Sequence, residues 1–212
     1  MATQANSLAQ LFTLRFKNRS ESQHDFLCYQ QGIDVNRPNV YTLAWFAKPV
    51  ANGVDVDFCW TLDFNFMWSE QGTLEPGITF TANQVLPAGL TQQNRVDFTQ
   101  AGDAFQFSNQ DSTGAEGSLT INGDNSVPKK KAVFGIGMSG QGTFAVDAEP
   151  NLAAIFTPHP TYWVSFGSFD QGEVLDIQTL VNTAEVLFPA NVYQMTAVLD
   201  SGNNWSITQG LN

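Results

Sequence analysis

The chain has 212 residues, 42% of them apolar, so it is long enough to bury a large core as one domain without disulfides or metals. Its 20 acidic and 9 basic residues give a formal net charge of −11. This balance disfavours nucleic acids and anionic membranes as partners, because few cations are present to face phosphate groups. No stretch approaches the roughly 18 consecutive apolar residues of a membrane-spanning helix.

The N-terminus predicts a soluble protein without a targeting segment. Residues 1–8 are expected to be a flexible extension of a single β domain that comprises residues 1–212. Met1–Asn6 lacks a basic segment followed by an apolar run, so we expect no signal peptide. A cytoplasmic location with reduced thiols follows as the expectation, and a mature secreted chain or export by a signal-independent route stays open.

A hydrophobic period of two residues dominates the chain and predicts β-strands. Phe12, Leu14 and Phe16 alternate with polar residues near the N-terminus. In the longest run, from Val54 to Trp68, every second residue is apolar. Fifteen extended residues would span about 50 Å. We therefore expect a bulge or bend near its middle, or a strand shared between two sheets.

Shorter alternating runs continue to the C-terminus. Residues 96–107 predict a hairpin, residues 108–117 an exposed loop, and residues 192–207 a second hairpin. The segment 172–188 fits either period, and a short helix near residues 179–187 stays open. Roughly a dozen strands separated by turns predict an all-β fold, an antiparallel two-sheet β-sandwich of the jelly-roll kind.

Two cysteines, Cys28 and Cys59, each lie within a β-patterned run. This position favours small buried hydrophobic side chains, although a bridge between neighbouring strands remains an alternative. The 2 histidines and 2 separated cysteines form no zinc pattern. The turns at 122–125 and 200–204 offer oxygen atoms to calcium but lack the spacing of a calcium loop. The glycines at 135–142 lie between strand-like runs, unlike a dinucleotide-binding loop. We expect no metal site and no cofactor.

Three carboxylates and one serine are the candidate catalytic groups. Asp55 and Asp57 project from one strand face about 7 Å apart, a spacing used by glycosidases, and Asp63 lies further along. Acidic residues on a solvent face that prevent edge pairing are the simpler explanation. Ser139 lies in a Gly-Met-Ser-Gly-Gln segment that lacks the second glycine of a nucleophile elbow. We assign no catalytic residue and expect a protein that is not an enzyme.

Aromatic side chains supply the candidate ligand contacts. The prolines on both sides of His159 hold its backbone extended, and Tyr162 and Trp163 follow closely. Trp45, Trp163 and Trp205 lie on runs whose exposure the pattern leaves open. A platform for a carbohydrate or small molecule is therefore predicted at Trp45, His159, Tyr162, Trp163 and Trp205.

Several segments, read in order, resemble the RhiA family of bacterial proteins. The segments that carry the resemblance are 12–18, 26–30, 43–49, 58–70, 134–140 and 156–163. The resemblance implies an abundant intracellular protein of soil or plant-associated bacteria, expressed near roots under quorum-sensing control. It implies no catalytic residues.

Together these observations favour a non-catalytic, highly soluble β-sandwich that binds a ligand or associates with itself as a homo-oligomer. The alternative is a jelly-roll that binds glycans like a lectin or hydrolyses them. A calcium-assisted lectin-like module is a third hypothesis. No nucleic-acid or membrane partner is expected.

Overall fold

A computed structural model describes residues 9–212, so the N-terminal extension expected at residues 1–8 lies outside the described residues. The described part of the chain is all-β and contains no helix, hence none long and apolar enough to cross a membrane. The strands are β1 (Phe12–Asn18), β2 (His24–Val35), β3 (Tyr41–Leu43), β4 (Phe46–Val50), β5 (Asp55–Trp60), β6 (Phe64–Ser69), β7 (Gln84–Ala88), β8 (Arg95–Ala101), β9 (Ala104–Asp111), β10 (Leu119–Gly123), β11 (Val133–Met138), β12 (Gln141–Asp147), β13 (Ala153–Gly167), β14 (Val174–Leu175), β15 (Ala184–Val186), β16 (Gln194–Leu199) and β17 (Trp205–Gln209).

The strands form three hydrogen-bonded sheets. Sheet A has the order β17-β16-β1-β5, and sheet C has the order β14-β3-β12-β11-β6-β7. Sheet B has the order β4-β2-β13-β10-β8-β9, with β15 paired to β13. The pairs β1–β16 and β10–β8 are parallel, so sheets A and B are mixed, whereas all strand pairs of sheet C are antiparallel. The described residues form 17 strands rather than about a dozen, and the short strand β15 lies within residues 179–187, the segment for which a helix is the open alternative in the sequence.

The long alternating run is shared between two sheets, as one of the sequence-based alternatives predicted. Strand β5 pairs with β1 in sheet A, and β6 pairs with β11 in sheet C. Residues 61–63 separate the two strands, and the Leu62 side chain is 51% exposed there. The alternation of buried and exposed side chains ends at residues 61–63, although every second residue stays apolar as far as Trp68. Both faces of β6 contact cores: Phe66 lies in one buried cluster and Met67 in another.

Ser139 fixes this break from the neighbouring hairpin. It forms the turn between β11 and β12 with Gly140, and both residues have positive φ angles, as tight hairpin turns require. The Ser139 hydroxyl donates to the Thr61 carbonyl and accepts from the Thr61 N–H, both at 2.9 Å. The Ser139 N–H also donates to the Asp63 carbonyl at 2.8 Å. The hydroxyl therefore supplies hydrogen-bond partners for the Thr61 backbone at the point where the chain passes from sheet A to sheet C.

Two large clusters of buried side chains join the sheets. One combines Phe98 and Phe156 of sheet B with Phe66 and Phe134 of sheet C. The other combines side chains of sheets A and B, including Leu14, Phe16, Phe26 and Val164. The large exposed apolar side chains of the described residues are Leu, Val and Ile. The many aromatic residues therefore fill the cores rather than forming an exposed surplus.

A β-bulge in β13 positions the Pro-His-Pro segment. His159 and Pro160 together lie opposite the single residue Gly32 of β2. Proline has no N–H to give to a ladder, and a bulge is a usual place for it in a sheet. Gly32 has φ +80°, and a Cβ atom there would lie 2.3 Å from the His159 carbonyl oxygen. Only glycine fits this position.

Candidate functional site

The five residues predicted to contact a ligand do not gather at one surface, and two of them lie in the core. Trp45 is fully buried, and its indole N–H donates to the Met138 carbonyl at 2.9 Å. The Tyr162 ring lies 5.9 Å from the Trp45 ring and 5.0 Å from Trp60, also within the core. Both rings therefore belong to the buried cluster that joins sheets A and B rather than to an exposed platform.

His159 and Trp163 lie on β13 but have separate surroundings. His159 is exposed on the bulge, and its Nε2 lies 3.0 Å from Asp34 Oδ2. Trp163 is half-buried and packs against a small cluster that contains Leu27 and Tyr29. Its indole N–H donates to the Thr161 hydroxyl at 3.2 Å. A role in ligand contact stays a prediction for both side chains.

Trp205 is half-exposed at the rim of the core between sheets A and B. Its ring lies 5.6 Å from Phe26 and 5.9 Å from Phe166, both in edge-to-face packing. Its indole N–H donates to the Asn182 carbonyl at 2.7 Å. Packing on one side thus fixes the position of the Trp205 ring, while part of the ring stays accessible to solvent. The prediction of a ligand contact stays open for Trp205 as well.

Two of the three candidate catalytic carboxylates, Asp55 and Asp57, are paired with cations. Asp57 accepts two hydrogen bonds from the Arg15 guanidinium, at 2.8 and 2.9 Å. These bonds lower the pKa of Asp57, whereas a general acid needs a raised value. Asp55 pairs with Arg19 and lies 3.5 Å from the Lys17 ammonium. Asp63 lies in the break after β5 rather than on the strand face, so the three carboxylates do not share one face.

The two thiols are both free and differ in exposure. Cys28 is buried, and desolvation raises its pKa, which fits the expected hydrophobic role. Cys59 is exposed on the outer face of β5, contrary to that expectation, because it lies in the polar half of the alternation. No bridge joins them.

The aspartates in the turns at 122–125 and 200–204 accept hydrogen bonds from nearby backbone N–H groups. Asp124 Oδ1 accepts from the Ser126 N–H at 2.8 Å, and Asp200 Oδ1 accepts from the N–H groups of Gly202 and Asn204. These backbone hydrogen bonds, with that from Asn204 the largest, lower the pKa of Asp200. Within residues 9–212, no three His, Cys, Asp or Glu side chains are arranged to hold a metal ion. The hypothesis of a calcium-assisted module stays untested.

Three exposed leucines surround a half-buried aromatic cluster at the end of sheet A. Phe12 packs edge-to-face on Phe188 at 5.4 Å and on Tyr193 at 5.5 Å between ring centroids. Leu11 and Leu187 precede Phe12 and Phe188, and are 51% and 65% exposed. Phe12 is paired in register with Trp60, which brings Leu11 beside the break that contains Leu62. We call this set the Phe12 surface: Leu11, Phe12, Leu62, Leu187, Phe188 and Tyr193.

An open groove of about 660 Å³ extends the Phe12 surface from Leu62 toward β7. Its apolar lining consists of Leu62, Phe64, Pro87, Ala88 and Leu90. Among the residues of the surface and groove, Asp63 is the one charged residue, in a chain with 29 charged residues. This region leaves no signal in the sequence, because its leucines come from distant segments and only strand pairing brings them together.

The fold and this surface define a class: an acidic, all-β protein with a contiguous exposed apolar patch, free thiols, and carboxylates engaged in ion pairs and turns. The family model described as RhiA matches residues 9–210. Protein RhiA of Rhizobium leguminosarum bv. viciae is 36% identical over 199 residues, covering 92% of this chain and 85% of that protein. The chain therefore belongs to the RhiA family, which confirms the resemblance seen in its sequence. No solved structure matches the chain.

Proposed function

We propose that this RhiA-family protein is a non-catalytic, self-associating module, and that a second copy of the chain docks on the Phe12 surface. The observation that carries the proposal is the clustering of Leu11, Leu62 and Leu187 around half-buried aromatic rings. Contiguous exposed apolar patches on soluble proteins commonly mark interaction sites.

The charge distribution favours a second copy as the occupant. Each copy carries a formal charge of −11, so most relative orientations of two copies are opposed by repulsion. The Phe12 surface itself is uncharged and apolar, so two copies can bury it against each other around a two-fold axis. A basic partner would instead be attracted to exposed carboxylates, which lie outside this surface.

The size of the Phe12 surface indicates how tightly two copies should bind each other. Standard stable interfaces use about 20–30 residues on each side. The Phe12 surface and its groove together supply about half as many. We therefore expect a weak dimer, with a dissociation constant on the order of 10–100 μM.

The arrangement of polar side chains supports a non-catalytic role. Asp57 is held ionised by Arg15, and the Ser139 hydroxyl is engaged by both backbone groups of Thr61. Neither group has the environment that general acid or nucleophilic catalysis requires.

The proposal also includes the finer architecture and the setting. Because sheet B shares one core with sheet C and another with sheet A, we infer that A and C form one layer facing B, as in a jelly-roll-like sandwich. The family resemblance implies an intracellular location and expression near roots under quorum-sensing control, and the proposal includes both.

Sedimentation velocity over a concentration series tests the association. The wild-type sedimentation coefficient should rise with concentration, and added salt should strengthen association by screening repulsion between copies. Leu62→Asp and Leu187→Asp should each give a monomer, because they place a charge in the buried interface. Val181→Asp is the matched control: Val181 is 68% exposed, lies outside the Phe12 surface, and undergoes the same charge change.

A wild-type chain that stays monomeric at millimolar concentration and high salt would refute self-association. Association that persists equally in Leu62→Asp and Leu187→Asp, with near-UV circular dichroism like wild type, would refute the location.

A further inference from the structure

A second concavity, of about 430 Å³, lies where the first residues of β1 and β16 run side by side and β17 ends. Four amide side chains line it: Gln10, Asn191, Gln194 and Gln209. We call it the amide groove. We propose that the amide groove binds a neutral carbohydrate, a short oligosaccharide without charged groups.

The charge of the groove argues for a neutral ligand. None of its described lining residues is charged, although the chain carries 20 acidic and 9 basic residues. A phosphate, carboxylate or cationic ligand would need an oppositely charged partner to replace its hydration. The groove has none to offer.

The amides suit a ligand that carries many hydroxyl groups. Each side-chain amide offers one acceptor oxygen and two N–H donors, and each sugar hydroxyl both donates and accepts. Within residues 9–212, the side chains of Asn191, Gln194 and Gln209 form no hydrogen bond to protein. Their donors and acceptors therefore face solvent and remain available to a ligand.

Backbone hydrogen bonds hold the floor of the groove in place. The Thr13 N–H donates to the Tyr193 carbonyl, and the Gly210 N–H donates to the Gln194 carbonyl, both at 2.8 Å. Asn191 adopts φ +63° just before these residues, which turns the chain into β16. Because the backbone is already held, ligand binding has to order only the side chains of the groove.

One aromatic ring adds an apolar contact. Tyr193 lines the groove, and its edge-to-face packing on Phe12, at 77° between ring planes, fixes the plane of the ring. The C–H face of a sugar ring packs against aromatic rings, while its hydroxyls point to the sides where amides lie. The groove volume lies within the range of about 300–1,000 Å³ that is usual for small-molecule sites.

The test uses ¹H–¹⁵N NMR of the full chain titrated with neutral tetrasaccharides, namely cellotetraose, maltotetraose and mannotetraose, at millimolar concentration. At least one should shift the side-chain amide signals of Asn191, Gln194 and Gln209. Tetragalacturonate, which carries carboxylates, should bind more weakly than the neutral probe. Running the titration on Leu62→Asp as well separates ligand binding from self-association.

Gln194→Ala and Gln209→Ala should each weaken binding about five- to tenfold, the effect of losing one or two hydrogen bonds. Gln106→Ala is the matched control, because Gln106 is an exposed glutamine on β9, away from the groove. Absence of shifts with all three neutral probes, shifts centred instead on Trp205, or full binding by both glutamine variants would overturn the proposal. Because Leu11 and Tyr193 belong to both the groove and the Phe12 surface, Leu62→Asp should bind the probe at least as strongly as wild type. Loss of binding in Leu62→Asp would contradict a groove that works without self-association.

Discussion

Replacing Ser139 tests how the chain passes from sheet A to sheet C. In the wild type, the Ser139 hydroxyl lies 2.9 Å from both the N–H nitrogen and the carbonyl oxygen of Thr61. Ser139→Ala removes both of these hydrogen bonds. A typical hydrogen bond contributes about 0.5–1.5 kcal/mol net. Thr61 is half-buried, so water replaces part of the loss. We expect the free energy of unfolding to fall by about 1–2 kcal/mol.

Ser139→Gly separates the effect of losing the hydroxyl from the effect of backbone strain. Ser139 has φ +53°, a conformation that disfavours any residue with a Cβ atom by about 1–2 kcal/mol. Glycine loses the same hydrogen bonds as alanine but avoids this strain. Ser139→Gly should therefore be more stable than Ser139→Ala by about 1 kcal/mol, once the greater freedom of unfolded glycine is included.

Urea unfolding followed by tryptophan fluorescence measures both effects, since Trp60 directly precedes Thr61. Ser206→Ala is the control, because Ser206 is exposed on β17 and its hydroxyl bonds to no other described residue. It should change the free energy of unfolding by less than about 0.5 kcal/mol. An equal urea midpoint for Ser139→Ala and Ser206→Ala would refute the role of the hydroxyl, and a less stable Ser139→Gly would refute the strain argument.

Two further predictions concern a carboxyl group and the thiols. Desolvation raises the pKa of Asp147, whose Oδ1 is buried without a partner among the described residues, so the folded state favours its protonated form. Wild-type stability relative to Asp147→Asn should therefore be greatest below about pH 4 and fall as the pH rises. Melting curves of both proteins at pH 4 and pH 7 measure this change, and an equal stability difference at the two pH values would contradict it. With Ellman's reagent, Cys59 should react in the native protein, whereas Cys28 should react only on unfolding, because it is buried with a raised pKa; equal rates for the two thiols would contradict the structure.

The aromatic residues show where sequence reasoning stops. The alternation correctly predicted that Phe58 and Trp60 would face the interior, since one face of a strand must be apolar to pack. It left Trp45, Trp163 and Trp205 undecided, because their runs are too short for a clear period. Trp45 became fully buried, whereas Trp205 stayed half-exposed, and only the packing of sheet A on sheet B separates the two.

The candidate sites show the same limit. The amide groove joins residues 10–11, 191–194 and 209–210, and the Phe12 surface joins equally distant segments. The parallel pairing of β1 with β16 creates the groove, and a parallel pair between the two ends of a chain leaves no local signal. Glutamine and leucine in such segments look like ordinary surface residues until they become neighbours.

The sequence by itself determined the all-β class, the polar and apolar faces of the early strands, and the family, because these depend on local period and on residue identity. The tertiary structure decided that residues 61–63 divide one alternating run between two sheets, and that leucines and amides from distant segments share one end of sheet A. The physical reason is that a period of two fixes which way a side chain points, whereas long-range strand pairing fixes what it meets there.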